Sequence, residues 1–405
     1  MLVVDRCHAM SHTGRLRDRI LEALLPGPEF SSLVPKPELG KRGLLQGVAI
    51  FWAIMNWGVM CMVVLRVKRI ALMASVASGF VALCVSAQAQ KKSPPDPVYP
   101  EVNPSLWYEV DAKWPEKPKD VKWTAVPGVA VDKDDNVYLY TRETPAVQVY
   151  SPEGKLLRSW GGGTGAHHIK IDRDGNVWTC DYAQHVIRKQ SPTGELIMTL
   201  GVPDEAALDD KHFFMPTDMA FASNGDIFVS DGYGNQRVVH LTKDGAYVNA
   251  WGSMGNEDGK FSIPHAIAID SKDRIYVADR NNARVQVYNT NGELIDSWKN
   301  IVVPWGFCVT PNDEIWVCGS TPMSWQQKDK KYPTAPLGCP PRDQVIMKFN
   351  ADGKLLQLYS FPKGADGKEK PGELNWVHCI AVDSKGNVYL GDIQGKRLQK
   401  FVVKH

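Results

Sequence analysis

The feature that most constrains the fold of this chain is a unit of paired apolar strands that occurs six times after residue 120. Each copy has an alternating apolar strand, a polar turn that often contains Gly or Asn, and a second apolar strand, which is the pattern of a β-hairpin. The copies are GVAVDKDDNVYLY (128–140), HIKIDRDGNVWTCD (168–181), DMAFASNGDIFVSD (218–231), AIAIDSKDRIYVAD (266–279), FCVTPNDEIWVCG (307–319) and CIAVDSKGNVYLGD (379–392).

Further turn signals after these hairpins extend the unit to four strands in roughly 40–50 residues, which is the spacing of propeller blades. Radial repetition of four-stranded sheets protects their edges from pairing with other chains. We therefore predict an all-β fold, a six-bladed β-propeller spanning residues 105–405. The last unit ends after three strands, so the segment from Leu106 to Trp114 is expected to supply the fourth strand and close the ring.

The N-terminal region has the pattern of an export signal. Residues 66–89 combine a basic RVKR stretch, an apolar segment and an Ala-Gln-Ala cleavage site, as secretory signal peptides do. Residues 1–65 are interpreted as an upstream extension whose apolar segment 43–65 is long enough to span a bilayer, so a membrane anchor is the alternative. Residues 90–104 are interpreted as a linker. We expect an exported protein, periplasmic or secreted.

Charge and cysteine content limit the partners and the covalent framework. With 47 basic and 45 acidic residues, nothing points to nucleic acid, and we expect a monomer that acts on a small molecule or short peptide. Five cysteines follow the predicted cleavage site; at least one disulfide is plausible in an oxidising compartment, but its connectivity cannot be read from the sequence. The five are Cys180, Cys308, Cys318, Cys339 and Cys379. An insertion at 320–343 is expected to lie over one mouth of the channel.

Histidines occur at one position of alternate units. Five residues before the aspartate, or its equivalent, that ends the first strand, the six units have Pro127, His167, Thr217, His265, Trp305 and His378. The first strand of each blade lines the channel, and alternate blades of six are about 120° apart. We therefore predict that the three imidazoles converge on one metal ion, zinc being favoured by a three-histidine set with an open position.

Two alternatives to that site follow from the same residues. The three histidines could be separate hydrogen-bonded channel residues, and imidazole also binds copper, iron or nickel. His168, next to His167, is expected to face the other side of its strand and to be structural.

The segments MPTDMAFASNGDIFVSDGYGNQRVV (215–239), FSIPHAIAID (261–270) and VADRNNARVQVY (277–288) resemble the NHL-repeat propellers, and within them the peptidyl-α-hydroxyglycine α-amidating lyases. The resemblance extends from about Val121 to the C-terminus. It implies zinc on His167, His265 and His378, a catalytic base at Tyr233, and a substrate-binding arginine at Arg142. It also implies cleavage of a peptidyl-hydroxyglycine to an amide and glyoxylate.

One departure from the family concerns calcium. The resemblance implies a structural calcium ion on the carbonyls of Val129 and Ile169 and on an aspartate directly after the third histidine, but that position is Cys379. A neutral thiol is a poor ligand for a hard cation, so calcium is not expected. Trp376 replaces a family methionine and is expected to reshape the pocket.

Three functional hypotheses follow. The first is an exported zinc-dependent lyase that cleaves the C–N bond of N-acyl- or peptidyl-α-hydroxyglycine-like carbinolamides. The second is a metal-dependent, lactonase-like hydrolase, although carboxylates are absent from the six ring positions. The third is a non-enzymatic propeller that binds a ligand or protein and carries a structural metal.

Overall fold

The computed structural model describes residues 107–163, 165–321 and 344–404, which form six four-stranded antiparallel sheets around a common channel. The predicted six-bladed propeller is confirmed. The extension 1–65, the signal at 66–89, the linker at 90–104 and all but the first two residues of the insertion 320–343 lie outside the described residues. None of the helices that are described is both long and apolar enough to cross a membrane.

The strand bounds follow the predicted units closely. The first strand, β1 (Tyr108–Val110), belongs to the last blade, and a 3₁₀ turn at Arg280–Asn282 joins the second and third strands of blade IV. Blade I contains β2 (Gly128–Val131), β3 (Val137–Tyr140), β4 (Val147–Tyr150) and β5 (Leu156–Trp160). Blade II contains β6 (Ala166–Ile171), β7 (Val177–Asp181), β8 (Val186–Gln190) and β9 (Leu196–Leu200). Blade III contains β10 (Asp218–Phe221), β11 (Ile227–Asp231), β12 (Arg237–Leu241) and β13 (Tyr247–Trp251).

The remaining blades repeat the same order from the channel outward. Blade IV contains β14 (Pro264–Ile269), β15 (Ile275–Asp279), β16 (Arg284–Tyr288) and β17 (Leu294–Trp298). Blade V contains β18 (Val303–Val309), β19 (Ile315–Ser320), β20 (Val345–Phe349) and β21 (Leu355–Ser360). Blade VI contains β22 (Val377–Val382), β23 (Val388–Asp392), β24 (Arg397–Val403) and β1.

Burial along the strands reflects the packing of blades against each other. The second strands β7, β11, β15 and β23 are buried at every position, because each blade is covered on both faces by its neighbours. The outermost strands, such as β9 and β17, are mostly exposed. The core is therefore a set of apolar layers between neighbouring blades; between blades II and III it includes Trp178, Met219 and Val229.

The ring closes through the N-terminal strand, as the sequence predicts. Strand β1 pairs antiparallel with β24, so that blade VI combines the two ends of the propeller. Just after β1, Trp114 is 5% exposed and packs edge-on against Tyr150 of blade I and Tyr389 of blade VI. The closing segment therefore joins the first and last blades through side chains as well as backbone hydrogen bonds.

The expectation of a disulfide is wrong for the described cysteines. Cys180, Cys308, Cys318 and Cys379 are all free thiols, and Cys339 lies outside the described residues. The β18–β19 register explains why Cys308 and Cys318 do not pair. Cys308 is opposite Trp316, whereas Cys318 is opposite Gly306, so the two thiols are not cross-strand neighbours.

We predict that Trp114→Ala lowers the free energy of unfolding by about 3–5 kcal/mol, the range for deleting a buried tryptophan. Trp107→Ala is the matched control, because Trp107 belongs to the same closing segment but is 52% exposed. That change should stay within about 0.5 kcal/mol. Urea unfolding followed by circular dichroism measures both. Equal effects of the two substitutions would contradict the role assigned to the closing segment.

Candidate metal and catalytic site

Three histidines from alternate blades meet at one end of the channel. His167, His265 and His378 each offer a ring nitrogen, and these three nitrogens lie within 4.8 Å of one another. The three ring centroids are 4.7–4.9 Å apart in each pair. All three side chains are buried. They form the only group of three or more potential metal ligands found in the described part of the chain.

Irregular pairing in the innermost strands aims these rings into the channel. The register of β6 against β7 shifts between Ala166 and Ile169, and that of β22 against β23 shifts between Val377 and Cys379. The same irregularity occurs in β14 between Pro264 and Ile267. A β-bulge places an extra residue in one strand and redirects its side chain. Each of the three histidines lies within such a bulge.

The Nδ1 atom of each histidine is fixed by the backbone of the next blade. Each Nδ1 lies 2.5–2.8 Å from the carbonyl oxygen of the ring-position residue that follows it around the channel. The pairs are His167 with Thr217, His265 with Trp305, and His378 with Pro127. A carbonyl oxygen only accepts, so Nδ1 carries the proton and Nε2 presents a lone pair.

The protonation state of the three rings fits a metal site. Burial, reinforced by the neighbouring imidazoles and guanidinium groups, lowers the pKa of His167, His265 and His378 well below the ordinary value. The rings are therefore neutral at physiological pH. Three neutral imidazoles with oriented Nε2 atoms and backbone-anchored Nδ1 atoms are a donor set that suits zinc.

His168 does not face the other side of its strand, as the sequence suggested. Because the bulge in β6 contains both His167 and His168, both rings turn toward the channel, with centroids 4.8 Å apart. His168 Nδ1 lies 3.0 Å from the Thr217 oxygen that His167 also contacts. Its Nε2 is buried without a hydrogen-bond partner among the described residues. Burial lowers the pKa of His168 to about 3, so this fourth imidazole is neutral.

Tyr233 places its hydroxyl beside the histidine nitrogens. The loop after β11 carries it over the channel, where its oxygen is 3.2 Å from His167 Nε2 and 3.0 Å from His265 Nε2. The oxygen therefore borders the point on which the three Nε2 atoms converge. A substrate group held at that point would lie within hydrogen-bonding reach of the phenol.

Arg142 reaches the same mouth from blade I. Its Nε donates to the Ala166 carbonyl, one residue before His167, at 3.1 Å. Its guanidinium lies 5.2 Å from the centroid of the Tyr182 ring, and Tyr182 in turn contacts both His167 and Tyr233. The structure thus brings Arg142, Tyr233 and the three histidines into one site.

A second guanidinium at the site was not foreseen from the sequence. Arg280, in the 3₁₀ turn of blade IV, lies 5.6 Å from the Tyr233 ring centroid and 4.7 Å from that of Trp305. Arg280 directly follows Asp279, just as Gly232 directly follows Asp231, so Arg280 and Gly232 are equivalent positions of the repeat. Tyr233 is the residue after Gly232. Since the loops after the second strands of blades I to IV reach this mouth, the repeat alignment was the signal that could have identified Arg280.

Below the histidines the channel contains an ion pair. Lys170 Nζ lies 3.3 Å from Asp218 Oδ2, and the Asp218 side chain is fully buried. The same oxygen accepts a hydrogen bond from the Ile267 backbone, so the pair connects the inner strands of blades II, III and IV. Burial raises the pKa of Asp218 to about 6, and the Lys170 ammonium opposes that shift.

The calcium implied by the family resemblance does not fit these residues. Cys379 is buried with its thiol directed at the Val126 carbonyl, and burial raises its pKa well above the ordinary value. A protonated thiol is a weak ligand for calcium, which prefers oxygen. Lys170 is close enough to act electrostatically on Cys379, and its positive charge disfavours a cation there.

Comparison with known proteins agrees with the NHL-repeat propeller fold. The NHL repeat matches residues 213–241 and 261–288. Human "NHL repeat-containing protein 3" is 28% identical over 317 residues, which cover 73% of this chain and 84% of that protein. A Caenorhabditis elegans protein named "Probable peptidyl-alpha-hydroxyglycine alpha-amidating lyase" is 35% identical over 259 residues, covering 62% of this chain and 68% of its own length.

Among solved structures, a gluconolactonase from Xanthomonas campestris superposes with a TM-score of 0.50 at 14% identity. The likeness covers 70% of this chain and 87% of the gluconolactonase. At that identity it supports the propeller fold alone.

We predict that Lys170→Met destabilises the protein by about 3–5 kcal/mol, because it leaves the Asp218 carboxylate buried without its partner. The double substitution Lys170→Met with Asp218→Asn should recover most of that loss, since no buried charge remains. Lys133→Met is the control, because the Lys133–Asp134 pair is exposed and is expected to contribute about 0–1 kcal/mol. Chemical unfolding compares the four proteins. A double variant no more stable than the single one would contradict this account.

Proposed function

Because this chain belongs to the NHL-repeat family that includes the peptidyl-α-hydroxyglycine α-amidating lyases, we propose that it is a zinc-dependent carbon–nitrogen lyase. Its substrate class is an N-acyl- or peptidyl-α-hydroxyglycine, a small molecule or short peptide, and the products are an amide and glyoxylate. The observation that carries the proposal is the Tyr233 hydroxyl, which lies 3.0–3.2 Å from the Nε2 atoms of two of the three clustered histidines.

His167, His265 and His378 are the proposed zinc ligands through Nε2. A zinc ion bound there would stabilise the negative charge that develops on the substrate hydroxyl oxygen. The hydrogen bonds from Nδ1 to the backbone hold each ring in the required orientation before any ligand binds. Such preorganisation means that little reorientation is needed during the reaction.

Tyr233 is the proposed base. Its oxygen takes the proton of the α-hydroxyl group, and the electron pair of the breaking C–N bond passes to the amide nitrogen. The hydroxyl oxygen forms the aldehyde C=O bond of glyoxylate as the C–N bond breaks, and the proton held by Tyr233 passes to the amide nitrogen, so an amide and glyoxylate leave. The Arg280 guanidinium, 5.6 Å from the Tyr233 ring centroid, favours negative charge on the phenol oxygen.

The two guanidinium groups are proposed to bind the substrate carboxylate. Arg142 and Arg280 reach the mouth from blades I and IV, and a planar guanidinium can pair with a carboxylate through two parallel hydrogen bonds. The contact of Arg142 with the Ala166 carbonyl fixes its position relative to His167. Binding at this point would direct the α-hydroxyl toward Tyr233. Export through the predicted signal at 66–89 would place this reaction outside the cytoplasm.

The hydrolase alternative is less well supported. Lactonase-like sites in propellers rely on carboxylate ligands, whereas the six ring positions contain none and the buried Asp218 is paired with Lys170. A purely ligand-binding propeller would not need a phenol oxygen beside two histidine nitrogens.

We predict that the purified protein binds one zinc ion and that His265→Ala lowers the metal content to less than about a tenth, since two imidazoles are a poor zinc site. His212→Ala is the control, because His212 contacts Asp209 and Glu205 in a surface loop. Its zinc content should equal that of the wild type. Metal analysis after dialysis measures both. Zinc retained by His265→Ala would contradict the proposed ligand set.

We predict that Tyr233→Phe reduces glyoxylate release from N-acetyl-α-hydroxyglycine by about 10²–10⁴-fold, as expected for loss of a general base. Its zinc content should not change, because the phenol is proposed to act on the hydroxyl proton. A colorimetric glyoxylate assay and metal analysis on the same samples test this. Stoichiometric zinc without glyoxylate release by the wild type would reject the reaction and favour a binding protein. Full activity of Tyr233→Phe would remove this residue from the mechanism.

A further inference from the structure

An indole ring lies at the outer edge of four of the interfaces between neighbouring blades. The outermost strand ends with Trp160 in blade I, Trp251 in blade III and Trp298 in blade IV. Each indole packs under a glycine in the turn before the outermost strand of the next blade, so closely that a Cβ atom there would overlap the ring. Trp114 of the closing segment packs in the same way against blade I. The four glycines are Gly154, Gly194, Gly292 and Gly353.

The interface between blades II and III has a leucine in this position. Leu200 ends β9 and lies under Gly245, and Leu241, at the end of β12, belongs to the same buried layer. At three other interfaces the residue equivalent to Leu241 is aromatic, with its ring centroid 5.2–6.2 Å from that of the tryptophan. These residues are Tyr150, Tyr288 and Phe349. Two leucines therefore stand where those interfaces have two stacked or edge-on rings.

A cavity of about 340 Å³ lies at this place. Its apolar wall consists of Leu200, Phe213, Val239 and Leu241, which are all 6% exposed or less. Its rim is polar and includes the loop residues 209–212. Pockets for small molecules combine apolar walls with a few polar groups in this way, and they begin at about 300 Å³. The leucines thus leave room for a ligand between the outer strands of the two blades.

One buried polar group in the cavity wall has a donor to spare. Arg237 is 7% exposed; its Nε donates to Asp231 at 3.0 Å and its Nη2 donates to the His212 carbonyl at 2.9 Å. Its Nη1 makes no hydrogen bond to any residue within the described ranges. In the equivalent Arg284 of blade IV, both terminal nitrogens donate to the chain. Because Arg237 lines the cavity, a ligand there can supply the acceptor for Nη1.

We infer that this cavity binds a planar aromatic molecule of indole size that carries a neutral hydrogen-bond acceptor such as a carbonyl group. The ring packs against the two leucines, in the place that an indole side chain takes at the other interfaces. The carbonyl oxygen accepts a hydrogen bond from Arg237 Nη1. A neutral acceptor suits this wall, because Arg237 is already paired with Asp231 and the rim alternates acidic and basic side chains. The inference does not rest on the proposed lyase reaction.

The test compares indole-3-carboxamide with indole, which has the same ring system without the carbonyl acceptor. Isothermal titration calorimetry with the purified protein should give a Kd below about 1 mM for the carboxamide and binding about five- to tenfold weaker for indole. Leu200→Trp places an indole side chain in the cavity and should weaken carboxamide binding by at least about tenfold. Leu200→Phe fills less of the space and should weaken it about threefold or more.

Arg237→Lys tests the hydrogen bond, because it keeps a positive charge beside Asp231 but loses the planar fork of donors. The preference for the carboxamide over indole should fall below about twofold. Leu196→Trp is the matched control, since Leu196 lies in the same strand but is 60% exposed and does not line the cavity. Its affinities should equal those of the wild type. Circular dichroism verifies that each variant is folded.

The site would be overturned if the wild type does not bind the carboxamide, or if a folded Leu200→Trp variant binds it as tightly as the wild type. Should Leu200→Trp fail to fold, the affinity of Leu200→Phe decides the same question. Equal wild-type affinities for the two ligands would overturn the contact with Arg237. Because neither ligand is cleaved, a wild type that releases no glyoxylate would reject the lyase proposal and leave this site unaffected.

Discussion

The site depends on one repeated interaction, the hydrogen bond from a histidine Nδ1 to the carbonyl of the next blade. Of the six equivalent ring positions, three supply an imidazole and the other three, Thr217, Trp305 and Pro127, supply the accepting oxygen. This arrangement gives each imidazole a backbone anchor through Nδ1, so that Nε2 is not used by the backbone. Because each bond crosses between blades, the site has its geometry only when the whole ring is closed.

The bulges in the innermost strands connect this interaction to the fold. A regular strand would alternate its side chains, and only every second residue would face the channel. The extra residue in β6, β14 and β22 turns the histidine inward where the ladder is interrupted. Bulges often mark functional positions in sheets for this reason. The same irregularity in β18 turns Trp305 toward the site, where its ring contacts that of His265.

The sequence predicted what depends on repetition and missed what depends on local irregularity. Six copies of a hairpin pattern determine blade number, strand order and the equivalence of the ring positions, and β1 closes the ring because the sixth copy lacks a strand. His168 was misjudged because strand alternation fails inside a bulge, which no residue in the pattern announces. The Lys170–Asp218 pair joins residues 48 positions apart in different blades, and such non-local contacts leave no periodic signal. Arg280 could have been found, because its loop is equivalent to that of Tyr233.

These contacts bear on whether a metal on the three histidines would serve structure or chemistry. A structural metal contributes most where it replaces connections that the chain does not make itself. Here the ring is already closed by the β1–β24 pairing, by cross-blade bonds from each histidine, and by an internal ammonium–carboxylate pair between blades II and III. A metal at the mouth would therefore add little to the connections that hold the blades together. Around that point lie a phenol oxygen and two guanidiniums, the groups to which the proposed function assigns the base and the carboxylate contacts. We therefore propose that a metal on the three histidines would act on a bound substrate rather than hold the ring closed.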